Sequence, residues 1–222
     1  MHSWGGGSKL LNPNKSAKCI TLLHGKLYSG CQDNSIQEID LATGTLNTIQ
    51  SGSRKLLGKA NPIHALNIRD GLLYSASSSL NGAAVKIWNA SNYSMVGSLP
   101  LTLEVRAMAV SSELIYLGCK GGTVEVWCRK KHNRVDMLQT GSNGRVLCMA
   151  LDADEEVLVI GTSDGKIQVK CSFHLNIPSG KYYVKDTVST SAGLAIGFLL
   201  TFSVFSQLFK NISKIHFTFK SY

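Results

Sequence analysis

No Cys-x-x-Cys pair occurs among the six cysteines, and the six histidines show no paired spacing. The 222-residue sequence therefore lacks the usual zinc frameworks, and neither a metal nor a cofactor is expected. The N-terminus lacks the apolar core of a signal peptide. This points to free thiols in a reducing compartment and leaves the Asn-x-Ser triplets at Asn14, Asn89, Asn92 and Asn211 without consequence. Charged residues are scarce at 17%, yet 44% of residues are hydrophobic, which excludes disorder as the main state. Catalysis has no foothold: Gly5-Gly-Gly-Ser-Lys9 lacks the Gly-Lys-Ser/Thr order of a phosphate loop, and Glu155-Glu156 falls in a hairpin turn as two solvated acids. No catalytic residue is assigned.

Phenylalanine is absent from the first 172 residues, whereas all three tryptophans (Trp4, Trp88, Trp127) lie before residue 130, so two differently composed segments meet near residue 170. The net charge of +9 divides in the same way. Residues 1–170 hold 18 basic and 13 acidic side chains, and the tail holds five Lys against Asp186 alone. Basic groups spread this thinly do not predict a nucleic-acid partner.

What the chain does contain is repetition. Ala17-Lys-Cys-Ile-Thr-Leu-Leu-His-Gly-Lys-Leu-Tyr-Ser-Gly30 aligns with Ile63 to Ala76, Val105 to Gly118 and Val146 to Gly161, and the closing small residues are spaced by 46, 42 and 43 residues. That period is the length of a propeller blade. Each copy reads as a hairpin turning at His24-Gly25, Asp70-Gly71, Ser112-Glu113 or 152–155, followed by a third alternating strand and, in the first three copies, a fourth. The predicted fold is all-β: a partial WD40 β-propeller of about four blades of four antiparallel strands, at 17–50, 63–99, 105–138 and 146–170. A flexible Gly-rich lead (1–16) precedes it and a divergent tail (171–222) follows.

The third strands end in Trp88-Asn89 and Trp127-Cys128 where the WD40 family has Trp-Asp, and Asp40 keeps only the acid. Gly58-Lys59 and Gly141-Ser142 stand where the family has Gly-His, so the blades are expected to lack that buried brace. Trp88, Trp127 and Asp40 are the structural WD-type positions. Four blades leave apolar end faces to be covered.

The segments 26–40, 73–88 and 114–127 resemble the C-terminal repeats of the plant CERBERUS/LIN-type U-box/WD40 E3 ubiquitin ligases, and the resemblance spans roughly residues 17–168. It implies a non-catalytic protein-interaction module, the substrate-receptor or scaffold part of an E3 ubiquitin ligase-like protein of the ubiquitination pathway, in a family associated with root symbiosis and nodulation. The sequence departs from the family at both ends, with no U-box before residue 17, so ligase activity is not carried over. Protein partners and a cytoplasmic or nuclear location are implied, and the open propeller invites self-association.

Residues just before each first strand (Ser16, Pro62, Glu104, Arg145) form the partner-facing rim of a propeller. Glu104 and Arg145, being charged, are the candidate partner-binding residues. The run Arg129-Lys-Lys-His-Asn-Arg134 reads as a solvated loop rather than a contact for an acidic partner. Residues 187–209 are 23 consecutive uncharged positions, long enough to span a bilayer as a helix. Three readings of the tail stay open: non-family sequence, a C-terminal membrane anchor displaying a small WD40-type domain, and a partner-binding helix.

Overall fold

The computed structural model describes residues 16–52, 61–79, 82–101, 103–173 and 183–191. They form four separate four-stranded antiparallel sheets, each a simple meander and each one blade of a β-propeller. Blade 1 contains β1 (Ala17–Leu23), β2 (Lys26–Cys31), β3 (Ile36–Asp40) and β4 (Leu46–Gln50). Blade 2 contains β5 (Ile63–Arg69), β6 (Leu72–Ser79), β7 (Gly82–Asn89) and β8 (Met95–Leu101). Blade 3 contains β9 (Val105–Val110), β10 (Leu114–Cys119), β11 (Thr123–Cys128) and β12 (Arg134–Gln139). Blade 4 contains β13 (Val146–Leu151), β14 (Val157–Thr162), β15 (Lys166–Phe173) and β16 (Tyr183–Ser191).

Two-residue turns set the register of the first hairpins. His24-Gly25 and Asp70-Gly71 all have positive φ (47°, 74°, 48° and 72°), the mirror-image turn whose twist matches that of paired strands. The inner strands β1, β5, β9 and β13 pack against one another in chain order, whereas β13 and β1 share no extended contact, so the four blades form an arc.

Each blade has a front that faces the next blade along the arc and a back that faces the previous one, and three such front-to-back contacts join the four blades. Tyr28 and Ile36 on the front of blade 1 pack on Ile63, Leu66, Leu73 and Trp88 of blade 2. Tyr74, Val85 and Ile87 of blade 2 pack on Met108, Val110, Ile115 and Trp127 of blade 3. Tyr116, Val124 and Val126 of blade 3 pack on Val146, Leu158 and Ile160 of blade 4. Large side chains such as Tyr74, Leu73, Ile87 and Ile160 are fully buried there, each contributing about 1.5–3 kcal/mol. The small residues that close each repeat now have a reason. A Cβ on Gly30 would lie 2.5 Å from Ile63 Cγ2, and one on Gly118 would strike Val146 Cγ1, so the first residue of the next blade occupies the missing side chain's place.

Polar ties also cross between blades. Arg129, read from the sequence as part of a solvated loop, reaches back from blade 3 to blade 2. Its Nε donates to the Tyr74 hydroxyl at 2.7 Å and its Nη1 to Asp70 Oδ2 at 2.6 Å, while the guanidinium lies over the Tyr74 ring. The Tyr74 hydroxyl and the Asp70 carboxylate are what draw it out of the loop. Arg129→Ala is expected to destabilise the fold by about 1–3 kcal/mol, measured by urea unfolding. Glu155 is likewise not a free acid: it pairs with Arg69 of blade 2 and its Oε2 accepts from Ser112 N of blade 3 at 2.8 Å, joining three hairpin tips.

The fourth blade runs past residue 170. β15 continues to Phe173, and Tyr183–Ser191 pairs with it antiparallel as the outer strand. Residues 187–191 are therefore extended strand rather than the start of a helix, because the blade still lacks an outer strand and β15 offers an open edge there. Residues 192–209 of the candidate span lie outside the described residues, as do residues 1–15 of the Gly-rich lead, Trp4 among them, and Gly58-Lys59. Among the described residues no helix is long and apolar enough to cross a membrane.

Candidate functional site

The inner strands share one irregularity. Each pairs regularly except at its second residue, where an extra residue bulges out of register: Lys18 between Ala17 and Cys19, His64 between Ile63 and Ala65, Arg106 between Val105 and Ala107, and Leu147 between Val146 and Cys148. A bulge releases its side chain from the pleat and re-aims it. Here four bulges fall at one level of four neighbouring inner strands, and three of them carry a basic side chain.

The rim residues sit two positions before them. The backbone carbonyls of Ser16, Glu104 and Arg145 accept from Gln32, Lys120 and Ser163 at 2.9, 3.1 and 2.8 Å, which shows that the three occupy one structural station. Their side chains differ. The Glu104 carboxylate pairs with Arg106 Nη2 at 2.5 Å and lies 3.6 Å from His64 Nε2, while Arg106 Nη1 donates to His64 Nδ1 at 3.2 Å. Burial and the charges of Arg106 and Lys18 hold the His64 pKa below its ordinary value, which keeps Nδ1 an acceptor at neutral pH. Glu104 thus braces blade 3 against blade 2. Arg145 and Lys18 are exposed, and no hydrogen bond or ion pair joins Arg145 to Glu104. Of the charged pair chosen from sequence, Arg145 is exposed and Glu104 is engaged with Arg106 and His64. The bulge residues went unnoticed because a bulge depends on pairing, which one strand's sequence does not display.

Asp40, Trp88 and Trp127 lie away from this rim, at the far ends of the third strands. Asp40 Oδ1 accepts from Ala42 N and Thr43 N at 2.9 and 3.0 Å, closing the turn to β4, and these bonds hold its carboxyl below the usual range. Asn89 Oδ1 does the same for Ser91 N at 2.9 Å. Trp88 Nε1 donates to Ser75 Oγ and Trp127 Nε1 to Glu125 Oε2, both at 2.9 Å, so each indole is braced by a polar group of its own blade.

Gly161-Thr-Ser-Asp-Gly165 has the Gly-x-Ser-x-Gly spacing of a hydrolase nucleophile elbow, a match the sequence reading passed over. The structure places it in the β14–β15 hairpin, not at a strand-to-helix turn, and Ser163 Oγ is occupied in accepting from Arg145 N at 2.9 Å. Among the described residues no group of three His, Cys, Asp or Glu is arranged to hold a metal. Cys19, Cys31, Cys119, Cys128 and Cys148 are free, and burial pushes the Cys19 and Cys119 thiols up to about 12, away from nucleophilic chemistry.

No known protein-family profile matches the chain. Three curated legume proteins do match. The chain is 44% identical over 168 residues to the Medicago truncatula protein named "Putative E3 ubiquitin-protein ligase LIN", and 42% and 41% identical to the Lotus japonicus proteins of that name designated LIN-2 and LIN-1. Each match covers 75% of this chain and 11% of the relative, so the chain spans about a ninth of their length. Among solved structures, the computationally designed Ika4 protein superposes with a TM-score of 0.57 at 21% identity, over 75% of this chain and 94% of Ika4, a likeness of fold.

Proposed function

We propose, from the homology to LIN-type E3 ubiquitin ligases, that this chain is the partner-holding part of a ligase-like protein: a non-catalytic, WD40-type module that presents a substrate or scaffold protein for ubiquitination. The observation that carries the reading is the row of inner-strand bulges. At this rim the bulge residue Lys18 and Arg145, just before β13, are exposed, while His64, Arg106 and Glu104 are engaged with one another. Lys18 and Arg145, both exposed and positive, favour an acidic segment of the partner. Free thiols fit a reducing compartment such as the cytosol or nucleus, and the relatives' legume origin fits a plant role that includes nodulation.

The test is quantitative affinity capture from legume root extract with the full chain as bait. Lys18→Glu with Arg145→Glu reverses the rim charge at exposed positions, and Val96→Glu, on the exposed outer strand β8, is the control. Specific partners are expected to fall about tenfold or more with the double variant and to persist with the control. Equal recovery by all three baits refutes the rim as the docking site.

A further inference from the structure

We propose that the two open ends of the arc close on a second copy of this chain, giving a ring of two chains and eight blades. The inference rests on the packing of the blades alone and stands whether or not the module serves a ligase.

At the back of blades 2, 3 and 4 the same two inner-strand stations carry Leu66 and Ile68, Met108 and Val110, and Met149 and Leu151, and all six pack against the preceding blade. In blade 1 these stations hold Ile20 and Leu22, which are 64% and 59% exposed. The fronts tell the complementary story. Cys19 in blade 1 lies under blade 2, with its Sγ 3.5 Å from the Ile63 carbonyl oxygen; the equivalent Cys148 in blade 4 is exposed. Gly161 holds the station of Gly30 and Gly118, which receive Ile63 and Val146, and no next-blade side chain approaches it; its near neighbour is Cys148 Sγ. The residue at the Ile63 and Val146 station in blade 1 is Ala17, and it is exposed.

The front of blade 4 and the back of blade 1 are thus two halves of an interface that the chain already makes three times. Each half matches the other and not itself, and within one chain they do not meet, since β13 and β1 share no extended contact. Head-to-tail pairing of two copies uses this interface twice, leaves no end uncovered and stays within the four to eight blades that propellers accommodate. Continuity with the three internal interfaces is what selects a second copy as occupant, because the copy carries both missing halves in the right register.

Sedimentation of the full chain between roughly 1 and 100 μM tests the proposal. The expected species has about twice the 24.0 kDa chain mass. Ile20→Glu with Leu22→Glu alters residues exposed in a single copy, so the circular dichroism is expected to stay unchanged while association weakens about tenfold or more. Val96→Glu is expected to leave the particle intact. Maleimide labelling read at Cys148 by peptide mass is expected to be slow in the wild type and about tenfold or more faster in the double variant. A wild-type chain that stays at one copy overturns the proposal, and if Cys148 is nonetheless protected, the cover comes from the chain's own remaining residues. A species that grows without limit, or a two-copy particle indifferent to Ile20 and Leu22, overturns it as well.

Discussion

Gly118→Ala is expected to destabilise the protein by about 2–3 kcal/mol, and Gly118→Val to leave it largely unfolded at 37 °C. The Cβ in either variant meets Val146, which is fully buried between blades 3 and 4 beside Leu158 and Ile160 and has nowhere to move. Neighbouring stations supply the contrast. Blade 2 already carries Ala76 where blades 1 and 3 have glycine, so the clash belongs to particular interfaces rather than to the strand. Within one copy Gly161→Ala would meet only the Cys148 sulfur, the end of a mobile side chain, and at concentrations too low for two copies to associate it is expected to cost under about 1 kcal/mol. Urea unfolding of the three variants checks the ranking. Equal costs at Gly118 and Gly161 would mean that glycine matters there for backbone freedom and not for the seat of the next blade.

Glu38→Ala is expected to cost about 2–4 kcal/mol, more than any other single polar truncation in blade 1. Glu38 stands on the front of blade 1, at the position that Ile87 and Val126 fill in blades 2 and 3, and its side chain is wholly buried. Burial alone would favour its neutral form; donors from Lys26 at 3.0 Å, Tyr93 Oη at 3.0 Å, Asn47 and Tyr28 more than offset this and hold its pKa below the ordinary value. Truncation strands two tyrosine hydroxyls, one of which belongs to the β7–β8 turn of blade 2, so the loss falls on the contact between blades. Tyr93→Phe is expected to cost about 1 kcal/mol. The lowered pKa also fixes a pH dependence. Glu38 contributes fully above its unfolded pKa of about 4.3, and the contribution fades as pH falls through its lower folded value. The acid limb of a stability profile is therefore expected to be shallower in Glu38→Gln than in the wild type, and identical limbs would contradict the assignment.

Much of this architecture was legible because a blade is a local object. The 42–46-residue period, the His-Gly and Asp-Gly turns and the alternating third strands each reflect neighbours close in sequence. What connects blades was not legible. Arg129 reads as one member of a basic run until Tyr74 and Asp70, more than fifty residues away, are brought beside it. Glu38 looks like a surface residue of an alternating strand until Tyr93 covers it. The end of the fourth blade was misplaced for a related reason. Composition changes at residue 170, but pairing does not, because an outer strand needs backbone partners more than a characteristic sequence and β16 finds them along β15. The rim was half legible. Position before the first strand singled out Glu104 and Arg145, whereas the register shifts that aim Lys18, His64 and Arg106 exist only once strands pair.

The most direct test of the account is ubiquitin transfer in a defined reaction of E1, E2, ATP, ubiquitin and the protein captured on the rim. The chain alone is expected to form no ubiquitin chains. Fused to a U-box taken from another ligase, it is expected to direct ubiquitin onto the captured protein, and Lys18→Glu with Arg145→Glu is expected to abolish that transfer. Ubiquitin chains made by the unfused chain, or transfer by the fusion that ignores the rim charges, would contradict a module that works by holding its partner.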